Sequence, residues 1–110
     1  MSELHQQQCV PCRGGEPALS EAELAQWLPQ LPEWQLIQRD GVNQLQRVFK
    51  FRDFASALHF TNQVGQLAEQ HDHHPAILTE WGKVTVTWWT HVIKGLHQND
   101  LIMAAKTDQL

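Results

Sequence analysis

The chain of 110 residues carries 8 basic and 12 acidic residues, a formal net charge of −4, and 42% of its residues are hydrophobic. This is the length of one domain with a single core, and the negative charge argues against a nucleic-acid surface, which is usually basic. No apolar run approaches the ~20 residues that span a membrane, and the first residues do not resemble a secretory signal. We therefore expect a cytoplasmic protein with no membrane partner.

The first 17 residues are polar and rich in glutamine, with prolines and glycines among them. This composition predicts an extended leader at 1–17, followed by a single domain at 18–110. Cys9 and Cys12 form a C-V-P-C motif in the leader. A redox motif of this spacing needs a strand before it and a helix after it, and zinc needs four ligands where only His5 is near. We interpret both cysteines as ordinary thiols, with metal capture or a labile disulfide as the alternatives.

A short helix is predicted after Ser20. Ser20 suits the N-cap and Glu23 the third helical position, which together make a capping box. Leu24 and Trp27 begin an apolar stripe, and Pro29 ends the helix.

Residues 33–51 predict a β-hairpin that turns at Asp40–Gly41, a dipeptide favoured in tight turns. The apolar alternation of its second strand slips around Arg47–Val48, and a β-bulge would account for the slip.

Residues 52–72 give the clearest helical pattern. Asp53 suits the N-cap. The helix cannot continue past His74, because the residue before a proline is disfavoured in the α region. His59 lies off the apolar stripe and is interpreted as a surface histidine. The predicted buried face consists of Phe54, Ala57, Leu58, Thr61, Val64 and Ala68.

Residues 76–91 predict a second hairpin around Trp81–Gly82, with a last strand that ends at His91. Trp88 and Trp89 then lie on opposite faces of that strand, because successive strand residues alternate. A final helix follows, and its inward-facing residues are predicted to be Leu101, Ile102 and Ala105.

The stretch Glu69–Leu78 holds three of the seven histidines. Zinc commonly binds histidines four residues apart on a helix, a spacing that His71, His73 and His74 do not provide. Acid/base chemistry fits the pattern better, because histidine can give and take a proton at neutral pH. It works best when a carboxylate holds its second nitrogen.

Two histidine–acid couples are predicted to face each other across a small pocket. Glu69 precedes His73 by one helical turn, so their side chains can meet. A bend near residue 95 would bring Asp100, in the first turn of the final helix, back beside His91. On spacing alone, an equally good interpretation is a set of exposed histidines at a helix C-terminus, where positive charge is mildly favoured.

The combination of E-Q-H-D-H-H-P, E-W-G-K-V-T-V-T-W-W-T-H and G-L-H-Q-N-D resembles the signature of the pterin-4a-carbinolamine dehydratases. The resemblance extends upstream through L-P-E-W-Q-L to C-x-x-C-R, as in bacterial members that accompany phenylalanine hydroxylase. It implies an α+β fold: a four-stranded antiparallel sheet with helices packed on one face, in the order α-β-β-α-β-β-α.

The resemblance also implies a hydro-lyase. Its substrate, 4a-hydroxytetrahydrobiopterin, loses water to give quinonoid dihydropterin, which recycles the cofactor of an aromatic amino-acid hydroxylase. His73 and His91 are the implied acid and base, in either order. The implied catalytic residues are His73, His91, Glu69 and Asp100, and the implied substrate-binding residues are His74 and Trp34. Trp34 would fit a hydrophobic core equally well. No metal or organic cofactor is implied, because the pterin is the substrate.

Three positions add to the family pattern. His97 stands where many relatives have Thr or Ser, so we expect a weaker cap on the final helix, or Asn99 as its substitute. His71 is an extra histidine with no implied role. The pair Trp88–Trp89 puts a large apolar group on both faces of the last strand. One face should meet the helices, and the other is expected to be covered by another subunit, because family members form homodimers and homotetramers.

Other functions stay open. The protein could be a regulatory or binding partner of a hydroxylase, since animal relatives also serve as the dimerisation partner of a transcription factor. It could act on pterins in molybdopterin metabolism, or bind metal through Cys9, Cys12 and the histidine stretch.

Overall fold

The computed structural model describes residues 3–10 and 17–110. In those residues no helix is both long and apolar enough to cross a membrane. The helices and strands follow the predicted order of helix, hairpin, helix, hairpin, helix. They are α1 (Glu21–Trp27), β1 (Gln35–Arg39), β2 (Val42–Lys50), α2 (Phe54–His71), β3 (Ala76–Glu80), β4 (Lys83–Trp88) and α3 (Gln98–Thr107), with 3-10 turns at Leu4–Gln6, Leu28–Gln30 and His91–Ile93.

The four strands form one antiparallel sheet in the order β1-β2-β4-β3. β1 and β2 are joined at Asp40–Gly41, where both residues have positive φ, 52° and 77°. Glycine and aspartate tolerate that conformation, which matches the twist of a two-residue hairpin. β3 and β4 are joined at Trp81–Gly82. Both predicted hairpins are confirmed.

β2 pairs with β4 in unbroken register from Leu45 to Lys50, so the predicted bulge is wrong. Arg47 interrupts the apolar alternation because it lies on the helix-facing side, where its guanidinium meets the Asp108 carboxylate at 2.6 Å. Val48 lies on the opposite face and is exposed.

α2 and α3 pack on one face of the sheet. Alternation of strand residues puts Val84, Val86 and Trp88 beneath the helices, and all three are fully buried. Val48 and Leu78, which flank Thr85 on the opposite face, remain exposed. The predicted α+β arrangement, with helices on one face of a four-stranded antiparallel sheet, is confirmed.

The N-caps of α1 and α2 are those predicted. Ser20 and Glu23 form a reciprocal capping box, and Asp53 accepts a hydrogen bond from the Ser56 N–H. The buried face of α2 is partly different from the prediction: Phe54 and Leu58 are exposed, and Phe60 is buried. The rings of Phe49 and Phe51 lie 4.6 Å and 5.1 Å from that of Phe60. This aromatic cluster turns the helix so that its contact stripe runs through Ala57, Phe60, Val64 and Ala68.

α3 is the central helix, and its residues from Asn99 to Ala105 are all buried. This includes the predicted Leu101, Ile102 and Ala105. The sheet lies on one side, and the 3-10 turn at Leu4–Gln6 lies against another. Within the stretch predicted as a leader, residues 3–10 therefore contact the domain, because the fully buried Leu4 is anchored there. Cys12 lies outside the described residues.

Candidate active site

α2 ends in a way that directs the histidines. Asp72 adopts the left-handed conformation, with φ of 51°. The N–H groups of Asp72 and His73 both donate back to the carbonyl of Ala68. This tight C-terminal turn satisfies the last helical carbonyls and takes His73 and His74 off the helix before Pro75.

His73 is held by Asp100. Its Nε2 lies 2.5 Å from Asp100 Oδ1, and Asp100 is fully buried at the start of α3. The second carboxylate oxygen accepts hydrogen bonds from the Thr90 hydroxyl at 2.7 Å and the His97 N–H at 2.9 Å. The His73 ring also stacks on Trp88, with the planes 4° apart. The position and tautomer of His73 are thus fixed from several sides.

His74 pairs with Glu69 instead. His74 Nε2 lies 2.5 Å from Glu69 Oε2, and both side chains are largely exposed. The predicted couples, Glu69 with His73 and His91 with Asp100, are therefore wrong. The left-handed Asp72 is the physical cause: it unwinds the helix by one residue, which turns His73 toward α3 and His74 toward Glu69.

His91 lies beyond the end of β4, which stops at Trp88, so the predicted strand is three residues too long. His91 opens a 3-10 turn and its ring lies 4.4 Å from that of Trp89. Thr90 bridges to Gly95, so the chain does bend back toward Asp100 as predicted. Gly95 is required there, because a Cβ at this position would lie 2.7 Å from the Cβ of Ala18.

One cavity of about 470 Å³ is lined by four histidines, His71, His73, His74 and His91. That volume is in the range of small-molecule sites. Asp100 lies behind His73, outside the lining. The lining residues are Cys9, Val10, His71, Asp72, His73, His74, Trp89, Thr90, His91, Val92 and Asn99. His73 and His91, one fixed by a buried carboxylate and one exposed, can therefore both reach a ligand in this cavity.

Trp34 is not brought to the cavity. It is buried in the core, edge-on to Phe49, and its indole N–H donates to Asp108 at 2.9 Å. This side chain therefore fills the hydrophobic core, which was the alternative interpretation of Trp34, and does not line the cavity.

Sequence reasoning missed Cys9 and Val10 as lining residues. They reach the cavity by a contact between the two ends of the chain, for which the sequence carries no local signal. Burial raises the pKa of the Cys9 thiol from 9.0 to about 11. His71 lies in the lining as well, and burial together with the Lys106 ammonium lowers its pKa.

No three His, Cys, Asp or Glu side chains in residues 3–10 and 17–110 are arranged to hold a metal ion. The histidines at the end of α2 instead pair with carboxylates, His73 with Asp100 and His74 with Glu69.

A family sequence model described as pterin 4 alpha carbinolamine dehydratase matches residues 17–110. The chain belongs to this family. Proteins named after pterin-4-alpha-carbinolamine dehydratase in Nitrosococcus oceani and Chlorobaculum tepidum are 61% and 57% identical to it over 110 residues, covering this whole chain and 97% and 99% of theirs.

Solved structures give the same assignment of fold. The crystal structure of a transcriptional coactivator/pterin dehydratase from Brucella melitensis is 37% identical, with a TM-score of 0.76 over 84% of this chain and 96% of that one. A pterin dehydratase-like RuBisCO assembly factor of the alpha-carboxysome shares the fold, with a TM-score of 0.59 and 20% identity over 70% of this chain and 87% of that one. The region matched by the dehydratase family contains all the cavity histidines, whereas Cys9 and Val10 precede it.

Proposed function

We propose that the protein is a hydro-lyase that dehydrates 4a-hydroxytetrahydrobiopterin to quinonoid dihydropterin. The C4a–O bond breaks, the hydroxyl leaves as water after protonation, and a base removes the proton from N5. Hydroxide is a poor leaving group, so a positioned acid matters most, while the N5 lone pair assists departure. The reaction consumes no oxidant, reductant or organic cofactor, so the groups of this chain suffice for it.

The observation that carries the proposal is His73 bound to the buried Asp100 in a cavity that also contains His91. Because Asp100 engages Nε2, Nδ1 is the ring nitrogen through which His73 exchanges a proton. His91 supplies the second proton-transfer group. His73 and His91 divide the roles of acid and base between them.

His74 and Glu69 serve substrate binding and orientation in this proposal. Their hydrogen bond is exposed, so it restrains His74 at the cavity without burying charge. His71 has no proton-transfer role, although it lines the same cavity.

In the cell, we propose, this reaction recycles the pterin of an aromatic amino-acid hydroxylase, with phenylalanine hydroxylase as the functional partner, in the cytoplasm. A homodimer or homotetramer is proposed as the working assembly. The two exposed apolar side chains of α2, Phe54 and Leu58, support this proposal.

The test is the disappearance of 4a-hydroxytetrahydrobiopterin, generated by a hydroxylase and followed by absorbance. His73→Ala and His91→Ala should each lower kcat by about 10²–10⁴-fold, the usual contribution of a positioned acid or base. His59→Ala is the matched control, because His59 is exposed on α2 and lies outside the cavity lining. Rates in both cavity variants equal to that of His59→Ala would contradict the proposal.

A further inference from the structure

The N-terminal segment, residues 3–10, provides part of the cavity wall. Cys9 and Val10 line the cavity together with His73 and His91. Val10 leaves 56% of its surface exposed, although the segment that carries it is held against the core by the buried Leu4. Its methyl groups are therefore available to a ligand in the cavity.

Asn99 fixes the end of this segment. The Val10 N–H donates to Asn99 Oδ1 at 2.9 Å, and Asn99 Nδ2 donates to the Val10 carbonyl at 2.6 Å. The oxygen and the nitrogen of the Asn99 side-chain amide therefore both bind the backbone of Val10, and Asn99 is itself buried. Two part-buried hydrogen bonds to a buried side chain set the position of Val10 relative to α3.

The start of the segment is held by other groups. The Leu4 N–H donates to Gln30 Oε1 at 2.9 Å, and Lys106 Nζ donates to the His5 carbonyl at 2.9 Å. Leu4 is fully buried. Loss of the Asn99 contacts therefore loosens the cavity end of the segment without releasing its anchor.

We propose that Asn99 is a positioning residue which holds Cys9 and Val10 as a wall of the pterin cavity, and that this wall contributes to pterin affinity. The inference rests on the proposed dehydratase function and goes beyond it, because residues 3–10 precede residues 17–110, which the family sequence model matches. The wall moves no proton. Its loss raises KM and leaves kcat unchanged, whereas loss of a proton-transfer group lowers kcat.

Two variants distinguish the apolar wall from the Asn99 hydrogen bonds that hold it in place. Asn99→Ala removes both hydrogen bonds to Val10 together with an amide that itself lines the cavity. Val10→Ala removes apolar contact while leaving the hydrogen-bonded backbone groups in place. Each should raise KM by about fivefold, the scale expected for a few buried methyl contacts, with kcat within about twofold. Ser20→Ala, which removes the α1 cap at a residue outside the cavity lining, is the control for lower stability alone.

The double variant gives the sharper outcome. Because both changes act on one wall, their combined effect on KM should be clearly smaller than the product of the single effects. A full product, or a KM unchanged in Val10→Ala, would overturn the inference.

Binding is measured in parallel as the Kd for 7,8-dihydrobiopterin, by quenching of tryptophan fluorescence. Binding by the wild type without turnover would refute the proposed activity alone. The Kd values of the two variants would still show whether the wall formed by Cys9 and Val10 contributes to pterin affinity. A wild type that shows neither binding nor turnover would refute both proposals.

Discussion

At the scale of single residues, the two histidine–carboxylate pairs have different environments. Asp100 is buried and accepts from three groups, so it is part of the folded framework as well as the support of His73. Glu69 and His74 form a pair that water surrounds. Exposed pairs contribute little, whereas a buried hydrogen-bonded carboxylate is costly to alter.

This difference leads to unequal effects of isosteric changes. Asp100→Asn should lower kcat by about 10- to 100-fold, because an amide cannot hold His73 in the same tautomer. It should also destabilise the fold by about 1–3 kcal/mol in urea unfolding. Glu69→Gln should lower kcat less than about threefold and leave the urea midpoint unchanged. Equal losses in the two variants would contradict the unequal supporting roles.

Cys9 gives a prediction about pH. Its raised pKa, about 11 against 9.0, means that the folded chain keeps a proton that the unfolded chain loses between those values. The associated stability is complete below pH 9 and is lost as the pH rises toward 11. In a Cys12→Ser background, iodoacetamide at about pH 8.5 should react with the native thiol about 100-fold more slowly than with the urea-unfolded thiol. Similar rates in both states would contradict this assignment.

At the scale of elements, the start of α3 shows how a poor-looking cap can work. His97 Nδ1 accepts from the Asn99 N–H at 3.0 Å, and Asp100 accepts from the His97 N–H. A capping box forms with an imidazole nitrogen in the place of a hydroxyl oxygen. The expectation of a weaker cap overlooked that an unprotonated ring nitrogen is a good acceptor. Because His97 provides the cap, the side chain of Asn99 is available to bind Val10.

Replacing the cap tests this interpretation. His97→Ala should lower the free energy of unfolding by about 1 kcal/mol, because the Asn99 N–H loses its partner. His97→Ser should retain most of the stability, since a hydroxyl can accept the same hydrogen bond. The measurement is urea unfolding at neutral pH. A His97→Ala variant as stable as the wild type would indicate that the imidazole is not the cap.

At the scale of the whole molecule, the site is assembled from segments distant in the chain. The end of α2 brings His73, the turn after β4 brings His91, the start of α3 brings Asp100, and the N-terminal segment closes one wall. All are held around Trp88 and α3, both buried. Two exposed apolar residues, Val10 and Val92, line the cavity, whereas Phe54 and Leu58 lie on α2 and Val48 and Leu78 on the open face of the sheet.

The proposed homo-oligomer is tested through α2. Phe54 and Leu58 are one helical turn apart and 45% and 44% exposed, so they form one apolar patch. Light scattering of the wild type should give a multiple of the monomer mass, and Phe54→Glu with Leu58→Glu should shift it toward the monomer. Val48→Glu with Leu78→Glu places the same two charges on the open sheet face as a comparison. An unchanged mass in the α2 variant would rule out assembly through this helix.

The sequence by itself determined the order of the helices and strands and the family. Capping residues, turn dipeptides and apolar periodicity are local signals, so Ser20, Asp53 and Asp40–Gly41 predicted boundaries that the structure has. The histidine-rich motif predicted the family and three of the side chains that line the cavity, those of His73, His74 and His91.

Only the tertiary structure decided which histidine pairs with which carboxylate and which residues line the cavity. One left-handed residue, Asp72, assigned Asp100 to His73 and Glu69 to His74. Core packing took Trp34 away from the cavity, and an amide on α3 brought Val10 to it. These outcomes depend on backbone direction at one residue and on contacts between distant segments, which the spacing of residues along the chain does not encode.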